Sequence, residues 1–181
     1  MTAPEDRPGP DEWPGPDERA PHGWPGLEDE EAAAWAALAG VLTALPAALG
    51  TQVHRDAGMG LVDLHVLSWL AATPDRAAKM SVVAEMATVS PSHVSRVAAR
   101  LERRGWLRRV PDPDDGRGTI AELTEAGLAA FVAGAPGHAE DVRRLVFGRL
   151  TSRQIAQLEQ ICRRILDAVR PDHCVRVPTG H

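Results

Sequence analysis

A chain of 181 residues can bury one proper core and is expected to hold one domain plus tails. Its hydrophobic share of 44% is ordinary for a globular protein; with no run of about 18 uninterrupted apolar residues, it is expected not to span a membrane. The net charge of -5 argues against a DNA binder until its distribution is read, because Arg96, Arg100, Arg103, Arg104, Arg108 and Arg109 form a basic island opposed locally only by Glu102.

The start of the chain, MTAPEDRPGP, lacks a basic n-region and an apolar stretch, so a cytoplasmic address is expected. Residues 1–26 repeat Pro-Gly-Pro-Asp-Glu at Pro8 to Glu12 and Pro14 to Glu18, and such a Pro/acid-rich segment is expected to be a disordered tail in spite of Trp13 and Trp24. Cys162 and Cys174 form no C-x-x-C pair, which leaves zinc-finger and thioredoxin readings without support.

A long first helix is predicted from Leu27 to about Gln52, with Trp35, Leu38, Val41, Leu42, Leu45 and Leu49 at helical spacing, an acidic first turn and a kink at Pro46. Leu61, Leu64, Leu67, Trp69 and Leu70 mark a second helix ending near Thr73 and Pro74. A third begins at Ser81 with Val82, Val83, Met86 and Ala87 inward. After a turn at Thr88 and Val89, Ser90 caps a fourth helix that has Pro91 in its first position. Val94, Val97, Ala98 and Leu101 give that helix one apolar face, and Gly105 closes it.

Trp106 to Val110 and Thr119 to Leu123 have strand character, and Pro111 to Gly118 reads as the long tip of a hairpin between them. A fifth helix is expected from Thr124 through Phe131, broken or bent at Gly134 to Gly137, and resuming through Val142 to Phe147. Thr151 and Gln154 form a capping box for the last helix. Its stripe of Ile155, Leu158, Ile161, Cys162, Ile165, Leu166 and Val169 is broad enough to predict packing beyond its own subunit.

The order helix, helix, turn, capped helix, arginine-rich edge, hairpin is that of a winged helix-turn-helix. The fold expected is therefore mainly α with a small β-hairpin wing, a winged helix-turn-helix lobe on a helical dimerisation base. On the fourth helix Ser90, Ser92, His93, Ser95 and Arg96 lie where side chains reach base edges, and Arg100, Arg103 and Arg104 continue toward phosphates. Alternating acids at Asp112 and Asp114 suggest a calcium loop, but an EF-hand needs Gly and Glu where Arg117 and Leu123 stand. Metal binding by His173, Cys174 and His181 lacks the ligand number and spacing of a zinc site, so no metal or other cofactor is expected. No nucleophile elbow or phosphate-binding glycine loop points to an enzyme. The competing reading is a winged-helix protein-interaction module without DNA binding, which would not need these arginines together on one side.

The stretch SVVAEMATVSPSHVSRVAARLERRGWLRRVPDPDDGRGTIAELTEAG resembles the core of the MarR family, and the likeness extends from Leu27 to about Arg170. Its most specific piece pairs Asp115 and Arg117 in the hairpin with Leu123, Thr124 and Gly127 at the next helix. The resemblance implies that Arg117 reaches a minor groove and Asp115 orients it. It also implies a domain over 27–170, with a DNA-binding lobe at about 61–123 and dimerisation helices at about 27–57 and 124–170, followed by a flexible tail at 171–181. The partners so implied are double-stranded DNA, a second copy of the chain on a pseudo-palindromic operator, and a small-molecule effector lined by Trp35, His54, Arg55, His65 and Trp69. A ligand-responsive repressor is the function the resemblance implies.

Overall fold

The computed structural model describes Trp24, residues 26–87 and residues 89–169, including the backbone but not the side chain of Arg117. The tail with Trp13, the turn residue Thr88 and the segment with His173, Cys174 and His181 lie outside the described residues. The contacts divide the chain into two compact units, Met1–Ala44 and Leu45–His181.

The first helix, α1 (Asp29–Ala57), runs through Pro46 and on past the expected end at Gln52. Asp29, Glu30 and Glu31 place negative charge at its electropositive N-terminus, and Glu31 accepts from the Glu28 N–H. Within the first unit Ala32 is buried, while Trp35, Val41 and Leu42 are exposed. By length and composition α1 is apolar enough to cross a bilayer, since a window within it reaches a mean hydropathy of 1.8. Counting uninterrupted apolar residues missed this, because Thr43, Pro46 and Thr51 break the run without adding charge.

In the second unit the core gathers Val53, Met59, Leu64, Leu67 and Leu70 with Val83, Val94, Val97, Leu101, Leu107 and Ala121. Helix α2 (Leu61–Ala72) supplies the centre, and α3 (Met80–Ala87) and α4 (Pro91–Arg103) pack over it. In α3 the buried pair is Val83 and Ala84; Val82, expected inward, is 38% exposed. The helix starts at Met80, one residue earlier than its sequence suggested.

Helix α4 begins as expected: Ser90 Oγ accepts from the His93 N–H at 3.3 Å, and Pro91 occupies a position needing no donor. Val94, Val97, Ala98 and Leu101 are all buried. Gly105 ends the helix at φ 71, with the Gly105 N–H donating to Glu102 O and the Trp106 N–H to Leu101 O, the paired bonds of a Schellman stop.

A short strand, β1 (Ala77–Lys79), joins β2 (Leu107–Asp112) and β3 (Asp115–Leu123) in an antiparallel sheet of order β1-β3-β2. At three residues β1 is too short to show alternation in sequence. The regular register of the hairpin ends at Pro111–Thr119, close to the expected tip of Pro111 to Gly118; beyond an irregularity Asp112 pairs with Asp115 around a turn at Pro113 and Asp114. Asp112 Oδ1 accepts from the Asp114 N–H at 3.0 Å, so the aspartate nucleates the turn while Pro113 presets its bend.

Helix α5 (Glu125–Leu145) is continuous, so of the expected break or bend the break does not occur: Gly134 to Gly137, including Pro136, stay helical, and the helix ends at Val146 before a 3-10 turn over Phe147–Arg149. Gly134 is buried, where an added Cβ would approach Ala57 Cβ to 3.2 Å, so close helix packing outweighs the low helical preference of glycine. Thr124 caps α5 from the Gly127 N–H at 3.0 Å. The last helix, α6 (Ser152–Val169), starts on the expected Thr151–Gln154 capping box. It buries no residue, and Ile161, Ile165, Leu166 and Val169 are exposed.

Candidate nucleic-acid interface

The outward face of α4 follows directly from its inward one. With Val94, Val97, Ala98 and Leu101 facing the core, Ser92, Ser95, Arg96 and Arg103 are exposed and His93 is half-buried. Ser92 lies 3.1 Å from the capping Ser90 hydroxyl. No ion-pair partner of Arg96 or Arg103 occurs among the described residues, so both guanidinium groups remain available to an incoming anion.

Other arginines of the basic island are engaged within the fold. Arg100 grips Asp63 of α2 from two nitrogens, its Nε lying 3.1 Å from each carboxylate oxygen. Asp63 is 2% exposed and also accepts the Gly60 N–H at the start of α2, so this fork ties α4 to α2. The pairing holds the Arg100 proton more tightly than usual, through the Asp63 hydrogen bond despite partial burial. Arg104 donates to Gly58 O at 2.8 Å and lies over the Trp106 ring at 4.7 Å. Arg108 pairs with Glu122 across the hairpin, and Arg109 pairs with Glu102. The Glu102 carboxyl is held below its usual range mainly by the hydrogen bond from Arg109. Sequence spacing shows Glu102 alone as an opposing charge; Asp63 and Glu122 reach the island only through the tertiary fold.

Between the N-terminal half of α4 and the hairpin lies a cleft of about 430 Å³, lined among others by Lys79, Ser95, Arg109, Asp115 and Thr119. Asp115 and Arg117 both lie in β3 directly after the turn, which puts the hairpin arginine two residues from the tip. Asp112 is buried: its side chain is 1% exposed and forms an ion pair with Lys79.

Two of the residues expected to line an effector pocket come together. His65 and Trp69 of α2 meet with ring centroids 5.8 Å apart. His138 of α5, which its sequence surroundings did not single out, packs edge-on against His65 at 5.8 Å. Burial, aided by His138, lowers the His65 pKa, and burial lowers that of His138 against an opposing effect of Asp141. His54 and Arg55 are exposed in the last turn of α1, and Arg55 pairs with Asp56. Trp35 lies in the first unit and is 43% exposed. Cys162 is exposed on α6, on the same helix as the exposed Ile161 and Ile165. Among the described residues no cluster of three or more His, Cys, Asp or Glu side chains is arranged to hold a metal ion.

Comparison with known proteins bears on this arrangement. The MarR family model matches residues 57–118, from the end of α1 to the hairpin. The multiple antibiotic resistance protein MarR of Salmonella typhimurium is 32% identical over 73 residues, 40% of this chain, and that match spans about half of the relative's length, 51%. The MarR family transcriptional regulator AbsC of Streptomyces coelicolor superposes with a TM-score of 0.74 at 28% identity, over 81% of this chain and 98% of its own. Sco3205, a MarR family transcriptional regulator from the same organism solved in complex with DNA, is 38% identical, with a TM-score of 0.77 over 81% of this chain and 95% of its own. A capped recognition-type helix, a hairpin beside it and near-complete coverage of such a relative lead to one assignment: the chain belongs to the MarR family of transcriptional regulators, which are not enzymes.

Proposed function

We propose that this regulator acts in the cytoplasm as a homodimer on a pseudo-palindromic operator, reading double-stranded DNA with α4 in the major groove and the hairpin in the minor groove, and that it is a ligand-responsive repressor. The observation that carries the reading is the face of α4: Ser92, Ser95, Arg96 and Arg103 are exposed together beside the hairpin, and the two arginines have no ion-pair partner among the described residues. Hydroxyls and an unengaged guanidinium near a helix N-terminus are what base edges require, and Arg103 extends the positive face toward phosphates. The solved DNA complex of Sco3205 supports the same use of the fold. Dimerisation is supported by α6, whose exposed Ile161, Ile165, Leu166 and Val169 form an apolar stripe that water solvates poorly. The effector would meet His65, Trp69 and His138, a half-buried aromatic cluster joining α2 to α5.

The test is to select bound fragments from the parent genome and then titrate wild type, Arg96→Ala and Arg117→Ala against operators altered singly at groove and flank positions. Arg96→Ala is expected to cost about 1 to 3 kcal/mol and to relax preference at one base position per half-site. Arg117→Ala is expected to alter preference chiefly in A·T-rich flanks. Equal losses on operator and random DNA would remove both assignments, and a monomeric sedimentation mass at micromolar concentration would remove the dimer.

A further inference from the structure

The geometry of the hairpin base points to a latch: we infer that Lys79 and Asp112 fix the position of the wing tip on DNA by pairing with each other, and that neither side chain contacts the nucleic acid. The inference rests on the DNA-binding reading above. Lys79, the sole lysine of the chain, ends β1 at one edge of the sheet, while Asp112 ends β2 at the other. Their side chains meet with Nζ 2.7 Å from Oδ2. The pair therefore joins the two outer strands and ties the hairpin to the strand that leads into α3.

Asp112 serves two structures at once. Its Oδ1 receives the Asp114 N–H and holds the turn, while its Oδ2 lies in ion-pair contact with the lysine ammonium. Its carboxylate is almost fully buried, 1% exposed, beside a lysine side chain that is 51% exposed. A carboxylate so enclosed is costly without a cation, so the lysine charge is committed to the fold. The protonation equilibria agree in direction: hydrogen bonding to Asp112 raises the Lys79 pKa, and the lysine lowers that of Asp112. Gly118 on β3 leaves the space this requires, because a Cβ there would lie 2.8 Å from Asp112 Cβ and 3.0 Å from its Oδ2. Lys79 and Asp115 line the cleft facing the N-terminal half of α4, so release of the latch changes the spacing between tip and recognition helix.

A latch and a direct electrostatic contact make opposite demands. If Lys79 touched a phosphate and Asp112 merely repelled one, Lys79→Met would weaken DNA binding and Asp112→Asn would strengthen it. In a latch both variants weaken binding although they change the net charge in opposite directions. The experiment measures affinity for a genome-selected operator, at two salt concentrations, for wild type, Lys79→Met, Lys79→Arg, Asp112→Asn and the Lys79→Met/Asp112→Asn double variant. Amide hydrogen exchange is read at Asp114 in each protein without DNA. Each single neutral variant should lose roughly three- to tenfold in affinity, and the double variant no more than the worse single, as for two residues sharing one interaction. Lys79→Arg should recover most of the loss, the salt dependence of Lys79→Met should match wild type, and Asp114 exchange should quicken in both neutral variants. Tighter binding by Asp112→Asn, or a salt slope reduced by about one in Lys79→Met, would overturn the latch. Failure of the wild type to select any DNA would instead remove the DNA-binding reading. Exchange at Asp114 would then decide the latch alone, unchanged rates in both neutral variants overturning it.

Discussion

Arg100 and Arg96 lie one turn apart on α4 and look alike in sequence, yet Arg100 is paired with Asp63 while Arg96 has no ion-pair partner among the described residues, and replacing each with alanine separates the two. Arg100→Ala leaves Asp63, which is 2% exposed, with the Gly60 N–H as its remaining hydrogen-bond donor. An exposed ion pair contributes at most about 1 kcal/mol, whereas orphaning a buried charge costs about 3 to 5 kcal/mol. The Arg100 side chain is itself 41% exposed, so water replaces part of what is lost and the expected destabilisation falls between these limits, at about 2 kcal/mol. For a domain of this size that corresponds to a fall in Tm of about 4 to 8 °C. Arg96→Ala removes no internal partner and should stay within about 0.5 kcal/mol of wild-type stability while losing operator affinity. Urea melts at matched protomer concentration, paired with fluorescence anisotropy on the selected operator, read both quantities. Asp63→Ala adds a sign test: if Arg100 were a phosphate contact restrained by Asp63, freeing it would tighten binding. An Arg100→Ala protein that unfolds at the wild-type midpoint and loses affinity as Arg96→Ala does would refute the assignment.

Two further outcomes follow from packing and protonation. An added Cβ on Gly127 would lie 2.0 Å from Trp106 O and 2.8 Å from Leu123 Cδ1, so Gly127→Ala must push the start of α5 off the hairpin; a loss of about 3 kcal/mol is expected in urea melts, against no change for Gly116→Ala, which meets nothing within 4 Å, and equal midpoints would contradict it. His65 has its pKa lowered by burial, so the unfolded chain binds its proton first and stability falls as pH drops below about 6.5; His65→Gln should flatten the decline measured by melts between about pH 7 and 5, and an unaltered slope would show that His65 does not titrate on unfolding.

Where one face of an element is buried, its periodicity was legible. Val94, Val97, Ala98 and Leu101 specify the inward face of α4, and Ser90, Pro91 and Gly105 specify its ends, because caps and stops act through backbone groups within a few residues. Strand β1 escaped notice because its three residues are fixed by pairing with β3, far along the chain. The break expected at Gly134 to Gly137 was a local inference defeated by tertiary packing: continuity of α5 brings Gly134 against Ala57 and Gly137 against Gln52, where larger side chains would collide. Local preference is a weak guide wherever long-range contacts reward the opposite choice.

Charge was harder to read than shape, for a related reason. A run of arginines advertises positive potential, but the field at a surface depends on which cations already have partners, and ion pairs here join residues far apart in sequence: Arg100 with Asp63, Arg108 with Glu122, Lys79 with Asp112. Each such pair fastens one element to another, leaving Arg96 and Arg103 as the unpaired cations of α4 among the described residues. The same pairing changes the meaning of the acids in the hairpin. Asp112 stands in sequence among alternating acids; buried and paired, it presents no net charge with its lysine and shapes the turn that precedes Asp115 and Arg117. A negatively charged chain can therefore carry a locally positive surface, because buried acids such as Asp63 and Asp112 are paired within the fold while Arg96 and Arg103 are exposed without an ion-pair partner among the described residues.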